Sequence, residues 1–181
     1  SIFNKLRRSH ACIVVKNQAG MKDLYRLVTE SNTKTLAVMG KASGKEGTDV
    51  AAEARVLRSS LEKNRENLLV GSACLNGELF ELACNGDDER LRSAMLFYDY
   101  VELQPLSNYS TDIALGSVPS LDRLKSVQKR LISMAQSLQI PVIADSDAHY
   151  CSRDQKIFRD VYIMSQGVGG ATHPLFIRDE S

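Results

Sequence analysis

Tryptophan is absent from this chain. Proline occurs four times and histidine three times, and aromatic residues make up only 6% of it. So little proline leaves no proline-rich linker to divide the chain. No apolar run is long enough to span a bilayer, and no signal peptide is read, so membrane-spanning and secreted classes are set aside. Neither GxGxxG nor GxxxxGK[ST] follows any predicted strand, which removes both nucleotide-binding fingerprints. The four cysteines, Cys12, Cys74, Cys84 and Cys151, contain no CxxC pair. Free thiols in a reducing, cytoplasmic setting are therefore expected. Charge of neither sign dominates: 23 Lys and Arg face 22 Asp and Glu, for a net charge of +1. Composition alone thus makes no demand for nucleic acid. No repeat of fixed short period is found.

What the chain does have is 181 residues, 43% of them hydrophobic. That is enough apolar mass for one domain with a real core. The apolar period alternates between strand and helix. Ala11–Val15 reads as a β-branched strand. Met21, Leu24, Tyr25, Leu27 and Val28 then fall at helical spacing. Residues 31–56, rich in Gly, Ala, Lys and Thr, read as a loop or excursion with a helical piece over Val50–Val56. Ser59–Asn67 reads as a polar helix and 68–73 as a strand. Gly77 opens a helix from Glu78, and 87–96 is a helix with acids in its first turn. Residues 98–103 form a strand closed by Gln104 and Pro105. Pro119 sits near the start of the longest helix, whose stripe is Leu121, Leu124, Val127, Leu131, Met134, Ala135 and Leu138. Strand 141–144 and a helix from about Ser152 to Met164 complete the series. Four strand-then-helix units predict a parallel α/β sheet or barrel. The chain opens at Ser1 without Met and stops at Asp179-Glu180-Ser181 without a closing element, so a piece of something longer is expected.

In parallel α/β architectures, chemistry collects where strands end. One predicted strand runs into Cys74 and another into Gln104. A third ends in Asp145, Asp147 and His149, within PVIADSDAHY. In extended chain, Asp147 and His149 share a side. A carboxylate, an imidazole and a thiolate can converge on one ion. That mixed set suits zinc, with manganese or iron at positions rich in oxygen and nitrogen. Asp145 and Asp154 read instead as turn or cap residues. Cys12 and Cys84 read as small buried hydrophobes. Asp145, Cys151 and His173 stay outside the ligand set.

Four segments together, HACIVVKNQAGMKDLYRLV (10–28), LLVGSACLNGELFE (68–81), FYDYVELQPL (97–106) and PVIADSDAHY (141–150), resemble one family. It is the PHP (polymerase and histidinol phosphatase) domain of bacterial replicative DNA polymerases, in the PolC type of DNA polymerase III. The resemblance covers nearly the whole chain except about residues 33–54, a loop or insertion longer than the family's connection. It implies part of a distorted (β/α)7 barrel, incomplete here, with metal ions at the carboxyl ends of the strands. Position by position, it implies His10, Cys74, Asp147 and His149 as metal ligands, with Glu102 and Gln104 as neighbours. The family's first ligands, an H-x-H with an Asp, a later His and a Glu, have no counterpart in this chain. In PolC-type enzymes a 3′–5′ exonuclease domain interrupts the barrel. Residues 1–166 resemble the portion after that interruption, and 167–181 a tail leading towards the polymerase core.

The function implied is that of a metal-binding accessory or structural region of a replicative DNA-directed DNA polymerase, not its polymerising site. Its partners would be the remainder of the polymerase chain and, through the parent enzyme, primer-template DNA and a sliding clamp, with no membrane. Zinc, manganese or iron would serve this site, and magnesium the parent's polymerisation. Clustered metals here would activate a water and clamp a phosphate. The alternative is a stand-alone PHP-type phosphoesterase resembling histidinol phosphatases, against which the "VKNQ.G.K.LY" and "YDY.E.QPL" wording speaks. A purely structural module that keeps its ligands for folding is a third reading. An incomplete barrel is further expected to expose sheet edges and apolar faces and to behave poorly in solution.

Overall fold

The computed structural model describes residues 7–40, 50–114, 116, 118 and 120–165. The chain divides after Gly71 into two units, Ser1–Gly71 and Ser72–Ser181.

The first unit runs β1 (Cys12–Val15), α1 (Gln18–Thr33), β2 (Leu36–Gly40), β3 (Val50–Ala54), α2 (Arg58–Lys63) and β4 (Leu68–Gly71). Asn17 starts α1. Its side-chain oxygen accepts from the Gly20 amide at 3.0 Å, satisfying one of the helix's orphan donors. The Asn17 amide group donates to Asn67 Oδ1 at 3.0 Å, and Asn67 Nδ2 donates to Asp23 at 3.2 Å. Gly20 lets the helix approach this network, because a Cβ there would lie 2.4 Å from the Asn67 carbonyl oxygen. The VKNQAG wording is thus a packing device that ties α1 to the residue just before β4. Of the predicted α1 stripe, Leu27 is buried, while Tyr25 and Val28 stand exposed.

Three expectations are corrected in this unit. β1 and β4 pair antiparallel, with Cys12 opposite Gly71 and Val15 opposite Leu68, not parallel as the alternating pattern predicts. A single helix between strands returns the chain to a parallel neighbour. Here a helix, a hairpin and a second helix intervene. The hairpin is the second correction. Residues 50–54, read as helical, form a strand paired antiparallel with β2, Leu36 opposite Ala54 and Gly40 opposite Val50. Thr35 Oγ1 donates to the Arg55 carbonyl at its base. Glu53 receives Arg8 and Arg55, each at 2.9 Å. The Arg55 hydrogen bond, and then Arg8, hold its carboxyl below the usual range. Cys12 is exposed, not a buried hydrophobe.

The second unit contains α3 (Glu78–Asn85), α4 (Asp88–Met95), β5 (Val101–Leu103), and a 3-10 turn at Leu106–Tyr109 that leads into α5 (Ser110–Ala114). It continues with α6 (Leu121–Ser137), β6 (Val142–Ala144), and a second 3-10 turn at Arg153–Gln155 before α7 (Lys156–Ser165). Ser120 caps α6 by accepting from the Arg123 amide. Leu124, Val127, Leu131 and Ala135 bury one stripe of that helix, as their spacing predicts. Leu124 packs with Tyr109 and Val118, ringed by Leu75, Phe80, Leu106 and Ile113. Phe80 and Tyr109 stack with centroids 5.7 Å apart. Two arginines of α6 serve the end of α3: Arg130 donates to the carbonyls of Ala83 and Gly86 and to Asp88, and Arg123 to that of Cys84. They satisfy carbonyls that a helix end leaves unpaired.

β5 and β6 pair in parallel, Val101 opposite Val142 and Leu103 opposite Ala144, with α6 as the crossover. Here the predicted βαβ unit is present. The class is mixed α/β. Among the described residues there are three two-stranded sheets and no closed barrel.

Candidate metal centre

The site is built where two turns of the second unit follow strands. The first turn is Ser72–Gly77. The Ser72 amide donates to the Tyr100 carbonyl, and Ser72 Oγ accepts from the Glu102 amide at 2.9 Å. The chain then tightens: the Gly77 amide donates to the Cys74 carbonyl at 2.8 Å. Ala73 takes a φ of 57°, a left-handed conformation unusual for a residue with a Cβ. This turn sets Cys74 at the wall of a narrow cavity, with Ser72, Glu102, Tyr109 and Gln128 among its lining residues. Glu78, just past the turn, accepts from the Tyr98 hydroxyl at 3.1 Å. The GSAC..GELFE and YDY.E.QPL segments are therefore hydrogen-bonded to one another.

The second turn is Asp145–Tyr150. The Asp145 amide donates to the Leu103 carbonyl, extending the β5–β6 ladder by one bond. Its carboxylate accepts from the Asp147 amide at 3.1 Å. Asp145 is thus the turn former that was expected. Asp147 takes a φ of 51°, which Asp tolerates better than most residues. His149 Nδ1 lies 2.7 Å from the Asp147 carbonyl oxygen and 3.9 Å from its carboxylate. A carbonyl oxygen can only accept, so Nδ1 carries the proton and Nε2 is the ring's acceptor in the neutral form. Metal-bound histidines are held in this way, with one nitrogen committed to a carbonyl and the other directed to the ion.

Tyr109 lines the same cavity as Cys74. Burial pushes its phenol well above the ordinary value, and the charges of Cys74, Asp112 and Asp147 push the same way. Asn108, also buried, donates from Nδ2 to the Ser146 carbonyl at 2.9 Å and pins the second turn. Sequence reasoning missed both Asn108 and Tyr109. The only signal was an amide and a phenol two and three residues after Leu106.

Of the predicted ligands, Cys74, Asp147 and His149 lie in the second unit and His10 in the first. Asp147 and His149 are adjacent and chemically suited to a divalent ion. Among the described residues, no three His, Cys, Asp or Glu side chains gather closely enough to hold one ion. Cys151 is exposed and Cys84 half-buried, its thiol raised chiefly by burial. His173 lies outside the described residues. No helix among the described residues is long and apolar enough to cross a membrane.

No protein-family model matches the chain. Curated proteins do. Over 165 residues, 91% of this chain, it is 38% identical to the DNA polymerase III PolC-type of Lacticaseibacillus paracasei, covering 10% of that protein. The PolC-type polymerase of Halalkalibacterium halodurans is 33% identical over 165 residues, 91% of this chain and 10% of its own length. That of Clostridium perfringens is 30% identical over 177 residues, 96% of this chain and 11% of its own. The similarity therefore runs almost end to end in this chain, while the chain spans about a tenth of the length of these relatives.

Proposed function

We propose that this chain is a segment of a PolC-type replicative DNA polymerase III, and that the segment is a metal-binding accessory region of PHP type. The observation that carries the reading is similarity over 91% of the chain to proteins named DNA polymerase III PolC-type. The parent enzyme would join deoxynucleotides to a primer 3′ end with magnesium. Primer-template DNA and a sliding clamp would be engaged by parts of the parent outside this chain. Residues 1–166 would form the later portion of the PHP region, and 167–181 would lead on towards the polymerase core.

Within the segment, Asp147 and His149 are the proposed ligands that lie side by side. Cys74, and His10 from the first unit, join them on the resemblance alone. A bound divalent ion would supply Lewis acidity and an activated water. The chain's own part is to orient the donors: Asp145 shapes the turn, Asn108 holds it, and the Asp147 carbonyl fixes the His149 tautomer.

The test uses the full-length parent. Elemental analysis of wild type against Asp147→Ala should show metal lost from the variant, while primer extension stays within about twofold of wild type. Equal metal content in both proteins would remove Asp147 as a ligand. Loss of primer extension in a folded variant would contradict an accessory role.

A further inference from the structure

One narrow cavity of the second unit gathers Ser72, Cys74, Glu102 and Gln128. The backbone places them there. The Ser72 amide donates to the Tyr100 carbonyl, and the Glu102 amide donates to Ser72 Oγ at 2.9 Å. Glu102 therefore stands beside the chain that reaches Cys74 two residues later. Gln128 of α6 is fixed by donating Nε2 to the Gln104 carbonyl at 2.8 Å. Leu79 and Leu131, both buried, add apolar surface to the wall. Glu102 Oε1 is shielded from solvent, and Cys74 is half-buried. A carboxylate and a thiol thus line one small, partly apolar space. An ion binding there would take the thiol as thiolate. The pair then offers a hard oxygen and a soft sulfur, a combination that zinc accepts and magnesium does not favour.

We infer that Glu102 is a metal ligand, and that with Cys74 it forms a seat for a zinc-like divalent ion separate from the Asp147–His149 pair. The inference deepens the metal-binding reading above and rests on it for Cys74. The resemblance leaves Glu102 a neighbour of the site; its place on the cavity wall makes it a donor. Separate seats follow from the spacing of the donors. Among the described residues, no three His, Cys, Asp or Glu side chains gather closely enough to hold one ion. Two pairs of donors therefore serve two ions, each completing its shell with water or a bound oxyanion. The oxygen and nitrogen of Asp147 and His149 suit manganese or iron as well as zinc, whereas the sulfur of Cys74 narrows the choice at its own seat.

The test titrates the natural full-length protein, freed of metal, with cobalt(II) as the probe. Thiolate bound to cobalt gives a charge-transfer band in the near ultraviolet. Subtracting the spectrum of Cys74→Ser isolates the band that belongs to Cys74. The expected result is a Cys74-dependent band whose cobalt midpoint rises about tenfold or more in Glu102→Gln and returns towards wild type in Glu102→Asp. In Asp147→Ala the midpoint of this band should stay within about twofold of wild type. Equal midpoints in wild type and Glu102→Gln would overturn the inference. A loss that Glu102→Asp does not restore would make Glu102 a packing residue and overturn it too. Loss of the band in Asp147→Ala would merge the pairs into one seat and overturn the separation. If Asp147→Ala keeps all its metal while the band answers to Glu102, the Asp147–His149 reading falls and this seat stands. If wild type forms no Cys74-dependent band but Asp147→Ala loses metal, this seat falls and the metal-binding reading stands.

Discussion

Replacing Gly77 by Ala is the sharpest perturbation of the Cys74 turn. Gly77 has an ordinary φ of −77°, so no conformational rule reserves the position for glycine. The constraint is space. A Cβ would sit 2.2 Å from the Ser72 carbonyl oxygen and 2.9 Å from that of Cys74. Ordinary contact begins near 3.4 Å, so the backbone must give by about 1.2 Å. Neither obstacle is a flexible side-chain tip. Ser72 is held by the Tyr100 carbonyl and the Glu102 amide, and the Cys74 carbonyl by the Gly77 amide itself. Overpacking of this kind costs about 1–3 kcal/mol, and losing the 2.8 Å bond adds about 1 kcal/mol. A stiffer unfolded chain returns roughly 0.4–1 kcal/mol. Gly77→Ala should therefore destabilise by about 1–3.5 kcal/mol. Urea unfolding should show a lower midpoint at unchanged slope, and the Cys74 thiol should react faster with a disulfide reagent. A change below about 0.5 kcal/mol would refute the steric argument.

Two further outcomes are expected. Asn108→Ala removes the donor to the Ser146 carbonyl, at a cost of about 0.5–1.5 kcal/mol, and should speed amide exchange at Asp147 and His149; unchanged exchange there would mean that the turn holds itself. Tyr109 and Cys84 both have ionisations raised by burial, so their contribution to stability is complete below the ordinary thiol value of 9.0 and is lost as pH rises. Unfolding midpoints should fall above about pH 9, and the decline should flatten in a Tyr109→Phe, Cys84→Ala double variant; an equal decline in that variant would assign it to other groups.

Much of the second unit is legible in the chain. Leu124, Val127, Leu131 and Ala135 recur at helical spacing because one stripe of α6 packs and the rest meets water. Gly77, Asp87 and Ser120 mark helix starts by their chemistry, and each is an N-cap. The β2–β3 hairpin is not legible. Alanines and glycines in LAVMG and VAAEA give no strong period of either kind, so pairing between the two segments decides the structure. The β1–β4 direction also escapes a local reading, since it depends on everything between the strands. In the site, the Asp147-x-His149 pair stands out at a strand end. Asn108 and Tyr109 do not, because their roles arise from packing of a 3-10 turn against residues about 38 positions away in sequence.

The central claim is that this chain is one stretch of a much longer polymerase. Reading the source DNA upstream and downstream of residues 1–181 tests it most directly. The account predicts one continuous frame with an H-x-H half-barrel and an exonuclease before Ser1 and a polymerase core after Ser181. A start codon immediately before Ser1 with a stop after Ser181 would contradict it.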